Sequence, residues 1–301
     1  PVLTNYSRYT RQIAEEYPHP LSSWKEAPSA TATYRKLLAE SPDHSVIILT
    51  VGHLSSLQKL LQSLPDGYSP LHGKELVEAK VRKWYCMGGK FPQGKEANFY
   101  RPDPASTVYC LNNWNKEVVF CGWEVGNPII TGDATLRKLP GKHPVYRAYE
   151  LYNNFAGRAS WDQVAVFLLS KQSHKYFQIQ NRGYCSVDPD GSNRWIPGKK
   201  SNHGYLIFNE NEFYNSLSNS SAVLGFLPVR RRSLISNNPL RIPAKISSLP
   251  IVSSSSITTG FSQGCPAVSN SDSTAFLSIA GLSMPIKALM PANLSALTSI
   301  L

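Results

Sequence analysis

Apolar positions between residues 46 and 208 fall into two alternating kinds of pattern. Val46-Ile47-Ile48-Leu49-Thr50-Val51 is an unbroken, largely β-branched run of strand length. Such a run suits a strand buried on both faces. Leu54, Leu57, Leu60, Leu61 and Leu64 then recur at helical spacing, which predicts a helix. Val81–Met87 reads as a strand that closes on Gly88-Gly89. Pro104 opens a helix through Asn112, since proline fits the first helical turn, and Asp103 is placed to cap it. Val118–Cys121 reads as another buried strand, Val145–Tyr152 and Trp161–Leu169 as helices, and Tyr176–Gln180 and Tyr205–Phe208 as late strands. This alternation predicts an α/β domain with a mainly parallel central sheet and flanking helices.

The pattern stops near residue 212, which divides the chain into an α/β domain over 1–212 and a tail over 213–301. The tail is rich in Ser, Pro, Asn, Ala and Leu, and runs such as Ser253–Ser256 break helical and strand periodicity alike. It is expected to be poorly ordered. Ala275–Leu301 leaves room for one or two short helices, interrupted by Pro285 and Pro291.

Charge changes this picture little. With 31 Lys and Arg against 20 Asp and Glu, the formal net charge is +11, which raises a nucleic-acid or membrane-surface reading. The tail holds six basic residues and one acidic residue, Asp272, so a good part of the excess lies outside the expected domain. Arg230-Arg231-Arg232 is its basic cluster, and a run that short reads as a solvated segment. No nucleic-acid partner is expected. Apolar runs are all too interrupted for a spanning helix, so no membrane partner is expected either. The five cysteines never take a C-x-x-C spacing. This argues against a zinc ribbon or a dense disulfide framework; Cys86, Cys110 and Cys121, in apolar runs, read as buried thiols.

Candidate chemistry gathers at the strand ends. In open α/β sheets, ligands bind beyond the carboxyl ends of the strands. Here those ends carry Val51-Gly52-His53, Met87-Gly88-Gly89 and Gly122-Trp123-Glu124. Just after the second, Glu96 and Asn98 stand two residues apart. In extended chain that spacing points both side chains the same way, so a carboxylate and a carboxamide could grip one polyhydroxylated ligand.

The segment from Met87 to Asp103-Pro104 resembles the inosine/uridine-preferring nucleoside hydrolase family, whose middle carries M-G-G, then E-x-N, then D-P. Ile47–Leu57 is similar to a strand and turn of that family, Ser160–Val166 to the helix start that supplies its last metal carboxylate, and Val187–Arg194 to a downstream hairpin. The resemblance covers roughly residues 1–210 and implies a nucleoside hydrolase-like fold. It implies hydrolysis of the N-glycosidic bond of a ribonucleoside by a water that Ca2+ activates. On that implication Asp162 is a calcium carboxylate and Val51 offers its backbone carbonyl. Glu96 and Asn98 bind the ribose hydroxyls, Met87 lies near the sugar, and Trp161 stacks on the base. Trp123 and His203 are further candidates for pocket walls.

Three departures qualify the activity. The family opens with an Asp-rich strand and loop that supplies most metal ligands and the general base. This chain has no such cluster, and it is expected to begin after that strand, so the catalytic base is unassigned and the calcium site incomplete. Trp161 stands where many members have a histidine that protonates the leaving base, and an indole has no useful proton to give. Lys95 falls near a position where the family often has asparagine, at the 5′ end of the sugar. Two functions are therefore carried forward: an impaired N-ribosyl hydrolase, and a non-catalytic nucleoside- or sugar-binding remnant. A small-molecule nucleoside is the expected partner; homo-oligomer formation is left open, as is the compartment, with a lean to the cytoplasm.

Overall fold

The computed structural model describes residues 9–133, 143–213, 230–231, 274–279 and 282–285. It is mixed α/β, with a mostly parallel central sheet flanked by helices. Strands β1 (Val46–Thr50), β2 (Val81–Met87) and β4 (Glu117–Cys121) pair in parallel, β1 with β2 and β2 with β4. Strand β3 (Gln93–Lys95) lies at one edge, against β8 (Ser192–Phe208). β8 joins β4 in parallel and pairs antiparallel with β7 (Phe177–Val187). Strands β5 (Ile129–Asp133) and β6 (Ala156–Ala159) form a smaller antiparallel sheet together with β9 (Arg230–Arg231).

Alternation along the central strands explains their unbroken apolar runs. Ile48, Trp84, Cys86, Val118 and Phe120 point into one buried cluster with Leu57, Leu60, Leu76 and Cys110. The flanking helices there are α3 (Ser55–Leu61), α4 (Gly73–Lys80) and α6 (Pro104–Asn112). Leu49, Met87, Val119 and Cys121 point the other way, into a second cluster with Val125, Val164 and Ala165. That cluster belongs to α7 (Trp123–Gly126) and α9 (Trp161–Phe167). A period of two thus supplies apolar groups to both faces. Asp103 caps α6, accepting from the Ser106 N–H, with Pro104 in its first turn. Cys86, Cys110, Cys121 and Cys185 are free and buried; Cys265 lies outside the described residues.

The late strands expected at Tyr176–Gln180 and Tyr205–Phe208 lie within two longer strands, β7 and β8, that form one antiparallel ribbon. Its register shifts near Arg182 and hide the alternation. The segment after residue 212 also contributes to the central sheet. β10 (Thr274–Ile279) pairs with β1 in parallel and β11 (Leu282–Pro285) pairs antiparallel with β10, so short strands stand where helices were expected. The sheet therefore runs past the boundary placed at 212, and the rest of the expected tail lies outside the described residues. No helix among the described residues is long and apolar enough to cross a membrane.

Gly126 fixes how the second helical layer docks. A Cβ there would stand 2.5 Å from the Trp161 Cα, and its carbonyl accepts the Ser160 N–H at 3.1 Å. Gly126→Ala is expected to lower the unfolding free energy by about 1–3 kcal/mol through overpacking, measured as a lower urea midpoint at unchanged slope. An unshifted midpoint would contradict this packing.

Candidate functional site

A cleft of about 470 Å³ opens beyond the carboxyl ends of β1 and β2, a volume within the range of small-molecule sites. Val51, Met87, Glu96, Asn98, Trp161 and Asp162 all line it, together with Trp123. These residues come from separate parts of the chain. His203 does not line it: it sits on β8, accepts the Cys185 N–H at Nδ1 over 3.2 Å, and meets Phe120 edge-on.

One wall is built on the turn after β2. Gly89 has φ +78, a left-handed conformation that favours glycine. A Cβ on Gly88 would stand 2.4 Å from the Phe99 ring, so the two glycines let Phe99 close over the strand end. Glu96 is extended, but the chain turns helical at Ala97, so Glu96 and Asn98 do not share the extended spacing that was expected. Glu96 is the N-cap of α5 (Ala97–Tyr100), and its carboxylate turns inward. Oε2 accepts the Gly89 N–H at 3.1 Å, and both oxygens accept the Asn98 N–H at 3.0 Å. The Asn98 side chain donates through Nδ2 to the Met87 carbonyl at 3.2 Å and to Met87 Sδ at 3.0 Å. That commitment leaves the amide oxygen as its remaining polar group.

The facing wall comes from β6, α9 and α8 (Pro144–Asn153). Trp161 donates Nε1–H to the Trp123 carbonyl at 2.8 Å, and the two rings lie 6.4 Å apart, tilted by 32°. The Arg158 guanidinium sits over Trp161 at 5.3 Å. The ring assigned to base stacking is therefore already held on its edge and covered by a cation. Sequence reading passed over Arg158 and Tyr149, both on this wall. An arginine on a four-residue strand carries no local signal of its position.

Burial sets the electrostatics. The Glu96 carboxyl is pushed up to about 7, with backbone hydrogen bonds opposing that shift and Asp162 adding to it. Burial pushes Asp162 up to about 6, against the pull of Arg158. Lys95, at the rim, pairs with Asp190 at 2.9 Å.

Calcium takes about six to eight oxygen ligands. Both Glu96 oxygens already accept backbone N–H groups, which weakens Glu96 as a cation ligand and leaves Asp162 as the other carboxylate of the cleft. No three His, Cys, Asp or Glu gather into a metal site among the described residues. Outside those residues the chain carries one acidic side chain, Asp272. This donor set does not fit a firmly held calcium. No family model matches the chain, and no curated protein matches it.

Two outcomes follow from this geometry. A carboxyl whose pKa is higher folded than unfolded keeps its proton longer in the native state. Its stabilisation is present in acid and is lost as pH rises to the folded value. Glu96 should therefore make stability fall between about pH 4.5 and 7, by up to about 3 kcal/mol. Glu96→Gln should flatten that slope in urea titrations across the range; an unchanged slope would remove Glu96 as its source. Calorimetric titration of the 301-residue chain with calcium should find no site tighter than about 10⁻⁴ M, and micromolar binding would contradict the donor count.

Proposed function

We propose that the cleft binds a ribonucleoside, in a domain of the nucleoside hydrolase type. One observation carries this reading: six residues singled out by resemblance, from separate segments of the sequence, line one cleft. They come from three segments, at 51, 87–98 and 161–162. The ribose hydroxyls are assigned to Glu96 and to the free amide oxygen of Asn98. A carboxyl and a carboxamide together donate to and accept from adjacent hydroxyls. The base is assigned to the aromatic wall of Trp123, Trp161 and Tyr149.

The resemblance extends this reading to N-glycosidic hydrolysis. The described residues supply binding groups and not a metal set, so the function proposed for the chain is binding. Titration of the chain with inosine and uridine, followed by calorimetry and tryptophan fluorescence, should give a Kd below about 1 mM for at least one of them. Asn98→Ala should raise that Kd by about tenfold through loss of one or two hydrogen bonds. Absence of heat and of fluorescence change with both nucleosides at millimolar concentration would overturn the reading.

A further inference from the structure

We propose that the cleft takes its nucleoside as a phosphate ester, with Arg158 as the residue that reads the phosphate. The inference rests on the nucleoside reading above and adds the charge of the ligand to it. Arg158 is the third residue of β6 and lines the cleft wall opposite Glu96 and Asn98. Its register partner on β5 is Thr131. Its guanidinium lies over Tyr152 at 5.0 Å and over Trp161 at 5.3 Å, and it donates one N–H to the Tyr152 hydroxyl. Two aromatic faces and a hydrogen bond thus fix the plane of the group.

Orientation is settled, but charge is not. Arg158 makes no ion pair among the described residues, whereas Lys95 across the cleft is neutralised by Asp190 at 2.9 Å. The field of Arg158 reaches Asp162, yet the two form no ion pair. Among the described residues only one of its guanidinium N–H donors meets an acceptor, the Tyr152 hydroxyl. A guanidinium held flat and lacking a carboxylate partner among the described residues matches the planar, two-oxygen face of a phosphate. A lysine in that place would give a point charge without the fork. Holding the group against aromatic rings removes part of the ordering entropy that binding would otherwise cost. The ribose assignment on the opposite wall leaves Arg158 for a substituent that ribose itself does not carry.

The full chain is titrated calorimetrically with inosine, inosine 5′-monophosphate and inorganic phosphate, in wild type and in Arg158→Met. The monophosphate should bind about 10-fold or more tighter than inosine in wild type, the range of one charge-assisted hydrogen-bonded pair. In Arg158→Met the two should fall within about twofold of each other. Arg158→Lys, which keeps the charge and stem, should retain part of the preference, and it stands as the test should the methionine variant fail to fold. Equal binding of the two ligands in wild type overturns the phosphate inference and leaves the nucleoside reading intact. A preference that survives both substitutions also overturns it. Inorganic phosphate binding as tightly as the monophosphate, with no contribution from the nucleoside, overturns it as stated. Failure of every nucleoside and nucleotide to bind overturns both readings.

Discussion

A single buried carboxylate joins the segments on which the cleft depends. Glu96 is only 6% exposed, and its oxygens accept from the Gly89 and Asn98 backbone N–H groups. Those contacts tie the end of β2 to the first turn of α5. They offset part of the desolvation of the carboxyl, but not all, since its pKa still rises to about 7. Other features of the wall follow from this clasp. With α5 held against the strand end, Phe99 packs over Gly88, and the Asn98 side chain reaches the carbonyl and sulfur of Met87. The loop between is closed by Asn193, which donates to the Lys90 carbonyl and accepts the Lys90 N–H. The strand end, loop and helix are thereby held by polar contacts across residues distant in sequence.

The opposite wall is held differently, by close approach of backbones. Gly126 lets α9 begin against α7, and the buried Ser160 and Thr131 hydroxyls share a hydrogen bond at 2.8 Å. Trp161 anchors its indole N–H on the Trp123 carbonyl. These contacts place the first turn of α9, and with it Asp162, at the cleft. An acid in a first helical turn is favoured by the helix dipole, yet Asp162 is also enclosed enough for its pKa to rise to about 6. Burial, not the dipole, decides its charge.

Much of this was legible in the sequence where the signal is local. Continuous apolar runs marked β1 and β4 because each is buried on both faces. Pro104 and Asp103 marked the start of α6, because a missing N–H and a capping oxygen are both read within one turn. The glycines at the end of β2 marked a strand end. What was not legible depends on pairing over long separations. The β7–β8 ribbon shifts register near Arg182, with Gly183 at φ +138, so strict alternation is lost. The pairing of β1 with residues 274–279 spans most of the chain, and no periodicity announces it. Within the site, Glu96 and Asn98 were recognised as a pair for a reason that the geometry replaces. Their spacing reflects an N-cap and a residue within the following helical turn, and the inward turn of Glu96 comes from the Gly89 amide, seven residues back. Arg158 gave no sign at all, since its setting is made by Tyr152 and Trp161, which flank it at helical and turn distances.

The two walls therefore meet the cleft with unlike chemistry. Carboxyls pushed toward neutrality by burial, as Glu96 and Asp162 are, attract a cation less than ordinary carboxylates would. In the protonated form they donate a hydrogen bond as well as accept one, which suits hydroxyl groups better than ammonium groups. Arg158 is held in a fixed plane by its aromatic neighbours. Near neutrality the cleft thus combines a partly protonated Glu96 on one wall with a largely ionised Asp162 and the Arg158 guanidinium on the other. A ligand that is hydroxylated at one end and anionic at the other matches that division.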